Sequence, residues 1–134
     1  MNAYLWIAVG GALGSMGRFA LTNLVAAWFG EDFPVGTLAI NIAGSFVIGF
    51  FGMLTGPDGR IVPAPGLREF VMVGLCGGFT TFSAFSYQTL TLARQGELAA
   101  AGLNIAGSVV LCLLAVWLGV AAAGSLGATR GGGT

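Results

Sequence analysis

The sequence predicts an all-α integral membrane protein with four transmembrane helices per subunit, and three observations carry that prediction. Of 134 residues, 56% are hydrophobic and only 7% charged, where soluble domains have about 45–50% and 25%. Four apolar stretches each reach the roughly 20 residues needed to cross a bilayer core about 30 Å thick. The charges avoid these stretches: of five Arg and five Asp or Glu, only Arg18 falls inside one.

The stretches run approximately over residues 3–29, 35–55, 70–92 and 98–126. The first exceeds the apolar region of a signal peptide and has no basic residue before it, so it is expected to be retained as a helix. Short connectors rich in Gly and Pro mark the turns: Gly30 to Pro34, Gly56 to Pro65, and Arg94 to Glu97. Residues 1–128 therefore form one four-helix unit, and residues 129–134 read as a flexible Gly-rich tail. Arg60, Arg68 and Arg130 fall on the side of the N-terminus and Arg94 on the other. So weak a positive bias specifies orientation poorly.

The formal net charge is zero, with no Lys and no His, so nucleic acid is not an implied partner. Zinc, haem and iron–sulfur centres lose their usual ligands, because the only cysteines, Cys76 and Cys112, lie far apart within apolar runs. Gly10-x-x-x-Gly14 and Gly74-x-x-x-Gly78 have the spacing that lets helix backbones touch, within one subunit or between two.

Polar side chains are expensive in hydrocarbon and mark helix contacts or a wet path. Thr37, Asn41 and Ser45 recur four apart on the second stretch, and Asn104, Ser108 and Cys112 on the fourth. Spacing weighs hydrogen-bonded glue and pore lining about equally for both stripes. In the third stretch, Gly77-Gly78-Phe79-Thr80-Thr81 predicts a helix break in mid-membrane. Freed carbonyls at that depth require protein, water or an ion. Phe82 and Phe85 follow, three apart; ring edges are electropositive and attract a small anion without a trapping charge. Arg18 either snorkels to an interface or attracts anions into a vestibule.

Three blocks resemble the Fluc/CrcB family of fluoride channels: Gly10-Gly11-Ala12-Leu13-Gly14 through Gly17-Arg18, Gly36 through Phe46, and Gly74 through Phe85. The third is the most specific. The resemblance implies a fluoride-selective ion channel in the cell inner (plasma) membrane, with passive export that relieves fluoride toxicity and no enzymatic step. It implies an antiparallel, dual-topology homodimer with two pores and a structural sodium ion on the dimer axis, held by the Gly77 and Thr80 carbonyls of both copies. It assigns the fluoride pore to Phe82, Phe85 and Asn41, with Ser108 carried over as a pore hydroxyl and Arg18 near the vestibule; Thr37, on the Asn41 stripe, and Ser83, between the two rings, complete the expected pore. Ala84 stands where the family commonly has threonine. Rival readings are a small dual-topology multidrug exporter, which needs a carboxylate that no span contains, and a non-conducting assembly subunit. A membrane enzyme ranks behind them, since no nucleophile–base pair is visible.

Overall fold

The computed structural model describes residues 2–128; Arg130 and the rest of the Gly-rich stretch 129–134 lie outside the described residues. Every regular element among the described residues is helical: α1 (Ala3–Phe29), α2 (Val35–Thr55), a π-helical segment (Glu69–Leu75) continuing into the single turn α3 (Cys76–Phe79), then α4 (Phe82–Arg94) and α5 (Leu98–Ala128). Four stretches are long and apolar enough to cross a membrane: Ala3–Phe29, Val35–Thr55, Glu69–Arg94 and Leu98–Leu126. The chain is a multi-pass membrane protein.

Local chemistry sets the helix ends. Asn2 caps α1 by accepting from the Tyr4 N–H at 3.1 Å. The helix stops at Gly30, whose φ of 78° suits a residue without Cβ and whose N–H returns to the Ala26 carbonyl at 2.8 Å. The connectors gather at opposite ends of the bundle. Arg68 ties the second connector to α2, its Nη1 donating at 2.7 Å to both the Thr55 carbonyl and the Thr55 hydroxyl. Arg60 Nη1 donates to the Leu126 carbonyl at 3.3 Å, so that connector shares an end with the close of α5.

The fully buried apolar core is small, comprising Ile40, Cys76, Leu92, Ala101, Ala115 and Ala123, while Leu13, Phe19, Leu113 and Trp117 are exposed. In water such a surface would drive association; in lipid it is solvated. Packing inside the bundle therefore depends on close backbone approach. α1 lies against the π-helical segment and α3 through its glycines: a Cβ on Gly74 would sit 2.9 Å from Gly10 Cα, and one on Gly78 2.6 Å from the Gly11 carbonyl oxygen. Both Gly-x-x-x-Gly pairs thus serve a contact within one subunit. Gly49 and Gly119 perform the same service where α2 meets α5, their missing Cβ atoms standing over the backbones of Val116 and Phe46.

Gly14→Ala is expected to destabilise the fold by about 1–3 kcal/mol, as overpacking does. Its Cβ would overlap the Leu75 carbonyl oxygen and fall 2.9 Å from the Phe79 nitrogen, and backbone cannot swing aside. Gly124→Ala, whose Cβ meets nothing within 4 Å, should be neutral. Denaturant titration in mild detergent compares the two.

Candidate functional site

The chain leaves helical geometry at Thr80 and Thr81, near the midpoint of Glu69–Arg94. Thr80 has φ −84°, ψ 156° and Thr81 has φ −152°, ψ 117°, both extended. In an unbroken helix the Thr81 N–H would donate to the Gly77 carbonyl. Here it donates instead to Asn41 Oδ1 at 2.7 Å, and Asn41 Nδ2 donates to the Thr81 carbonyl at 3.0 Å. One carboxamide on α2 thus replaces both helical partners of Thr81. The Thr81 hydroxyl then caps α4, accepting from the Ala84 N–H at 3.2 Å and lying 3.2 Å from the Ser83 hydroxyl. Thr80 folds back, its N–H and hydroxyl donating to the Cys76 carbonyl at 2.9 and 2.8 Å.

Beside this interruption lies a cleft of about 380 Å³ between α2, α3, α4 and α5. Asn41 and Ser45 line one wall, Thr80 and Thr81 the interruption, Phe82 and Phe85 the start of α4, and Ser108 and Cys112 the α5 side. Among the described residues, no carboxylate and no basic group lines it. The Phe82 and Phe85 rings stand 5.3 Å apart between centroids at 46°, and Phe82 is 79% exposed. Four of the seven pore residues expected from sequence, Asn41, Phe82, Phe85 and Ser108, therefore share one cleft.

The other three lie elsewhere. Thr37, one turn from Asn41, is buried and lines a second, more polar cavity of about 370 Å³ near the Gly30–Pro34 and Gln95 connectors. Ser83 is exposed and bonds to Thr81. Arg18 is half-buried on α1 and lines neither cavity.

The polar stripes divide by role. Asn104, 2% exposed, is glue: its Nδ2 donates to the Thr89 hydroxyl at 2.9 Å, binding α5 to α4. Thr89 in turn donates to the Phe85 carbonyl at 2.7 Å, so this contact braces the turn that carries the ring. Ser108, one turn further, both approaches Asn104 Oδ1 at 3.5 Å and faces the cleft. Sequence reasoning placed Thr81 in the interruption but missed its role as the cap of α4, although a threonine opening a helix three residues before a backbone N–H in need of a partner is a capping signal.

The Gly77 and Thr80 carbonyls receive no hydrogen bond among the described residues, and a Cβ at exposed Gly77 would meet nothing within 4 Å. Gly77 is exposed and Thr80 partly so, and carbonyl oxygens are ligands of the kind that hard cations take.

Four membrane-spanning helices around a cleft of amide, hydroxyl and aromatic groups define the class, a multi-pass membrane protein with a polar pocket at mid-span. Residues 5–120 match the family described as CrcB-like protein, Camphor Resistance (CrcB), and the chain belongs to that family. It is 59% identical over 131 residues to the fluoride-specific ion channel FluC of Opitutus terrae, covering 98% of this chain and 99% of the relative. It is 59% identical over 128 residues to the protein of the same name from Methylocella silvestris, covering 96% and 98%. The like-named protein of Rhodospirillum rubrum is 58% identical over 116 residues, covering 87% and 90%.

Proposed function

We propose that this chain is a fluoride-selective ion channel that lets fluoride leave the cell passively through the plasma membrane, relieving its toxicity. The observation that carries the reading is the uncharged cleft, where the Asn41 amide, the Ser108 hydroxyl and the Phe82 and Phe85 rings converge. Fluoride is small and strongly hydrated, so a path must replace water's hydrogen bonds without holding the ion. Amide and hydroxyl donors together with ring edges do so, whereas a buried cation or metal would retain it. The names of the relatives support this assignment.

Passive conduction needs no coupling group. Hydrogen fluoride enters as a neutral acid and ionises in a more alkaline cytoplasm; a negative-inside potential then favours the anion's exit by about 2.3 kcal/mol per 100 mV. Purified protein in liposomes should release fluoride, followed with an ion-selective electrode, and release chloride far more slowly. Protein-free rates with correctly folded protein would end the reading.

The pore is completed by a second, inverted copy. Phe82 and Ser83 are exposed beside a mid-span interruption with free carbonyls, and such backbone is tolerated in hydrocarbon only where protein or water covers it. An antiparallel homodimer covers both interruptions at once. A cysteine added at the C-terminus, in a chain whose Cys76 and Cys112 are replaced, should be labelled partly from each face of the membrane. Labelling of every copy from one face alone would contradict inverted pairing.

On the dimer axis, the Gly77 and Thr80 carbonyls of both copies would hold a sodium ion, which supplies positive charge to four otherwise unpaired oxygens and locks the copies together. Exchange of sodium for a large organic cation should shorten the dimer's lifetime in detergent, measured by cross-linking. Thr80→Ser, which keeps the carbonyl and the hydroxyl bond to Cys76, should retain the sodium response. A lifetime insensitive to sodium would remove the ion from the assembly.

A further inference from the structure

We propose that the second cavity is a binding site for a small organic cation carrying several N–H donors, of the amidinium or guanidinium class, a site that does not depend on the ion path. The cavity, about 370 Å³, lies where the Gly30–Pro34 connector meets the close of α4. That volume suits a compact organic molecule better than a bare ion.

Two groups in its lining are buried and unsatisfied. Thr37 is 7% exposed, and its hydroxyl makes no hydrogen bond among the described residues. Gln88 Oε1 is buried without a partner. Both residues line the cavity. Buried polar groups are normally partnered, and a bound molecule with donors would satisfy both.

The rest of the lining sets the charge of that molecule. The Thr22 hydroxyl donates to the Arg18 carbonyl at 2.8 Å and the Thr91 hydroxyl to the Tyr87 carbonyl at 2.9 Å. Toward the cavity each can therefore only accept. Glu31 and Asp32, exposed on the connector, add two carboxylates. Among the described residues no basic side chain lines the cavity; Arg94, at the end of α4, is exposed and outside the lining. Asn23 and Gln95 carry both donors and acceptors and do not decide between charges. Phe33 and Leu92 supply apolar wall, and Tyr87 a ring against which a planar cation can lie. The same lining repels an anion. A bare metal ion fits less well, since no group of three acidic, His or Cys side chains occurs among the described residues.

The probe is benzamidine as its cation, titrated onto the purified protein in detergent and followed by calorimetry. A dissociation constant of about 1 mM is expected for a ligand of so few atoms. Benzoate should not bind, and neutral benzamide should bind about tenfold more weakly or worse, because it lacks charge-assisted hydrogen bonds. Glu31→Gln combined with Asp32→Asn should weaken the amidinium about tenfold for the same reason. Thr37→Val and Gln88→Leu should each weaken it severalfold. If the two buried variants do not assemble, the connector pair decides, since both of its positions are exposed. Three results would overturn the proposal: no saturable binding, benzoate or benzamide binding as tightly as the amidinium, or unchanged affinity in the connector pair. Fluoride efflux enters none of these measurements, so failure of the channel reading would leave their outcome intact.

Discussion

Asn41→Leu is expected to abolish fluoride efflux and to weaken the fold by about 2 kcal/mol or more. The side chain supplies both hydrogen bonds that replace helical pairing at Thr81, at 2.7 and 3.0 Å. A buried backbone group left without a partner costs about 1–3 kcal/mol, and the leucine strands two. Asn41→Asp separates folding from conduction. It retains the acceptor for the Thr81 N–H but loses the donor and places negative charge in the cleft, so it should hold more stability than the leucine while conducting as little. Denaturation in detergent reads the first effect and electrode-monitored liposome efflux the second. Wild-type efflux from folded Asn41→Asp would show that the anion does not pass this side chain.

Phe82→Ile and Phe85→Ile are expected to leave folding nearly unchanged and to reduce efflux severalfold each, with a larger loss in the double variant. Isoleucine keeps apolar bulk and removes the electropositive ring edge. Aromatic edge contacts are worth about 0.5–1.5 kcal/mol, and about 1.4 kcal/mol is a factor of ten. Phe82 is 79% exposed in this protomer, so its replacement removes little packing here. Phe85 sits on a turn braced by Thr89 and Asn104, which the substitution leaves intact. Wild-type rates in both folded variants would return the rings to ordinary packing. Loss of dimer on cross-linking in Phe82→Ile would place that ring in the subunit contact instead.

The sequence by itself determined the class of fold, because hydrophobic length and the exclusion of charge are properties of residues in order along the chain and need no partner to be read. The four spans, the turns at Gly30 and Gly96, and the interruption-prone run from Gly77 to Thr81 are of this kind. The Phe82 and Phe85 pair and the stripe through Asn41 were legible too, since spacing on a helix follows from its pitch. What the tertiary structure decided is which polar groups meet. Asn41 and Thr81 are 40 residues apart and join only because α2 crosses the interruption. Thr37 and Asn41 share a stripe yet line different cavities, and Asn104 and Ser108 share another yet divide into glue and cleft wall. Periodicity gives the direction a side chain leaves its own helix. Whether it then finds a neighbour's hydroxyl, a backbone carbonyl or open space depends on how closely the helices approach, and that is set by glycines such as Gly10, Gly14 and Gly74, whose contacts exist only in the folded bundle.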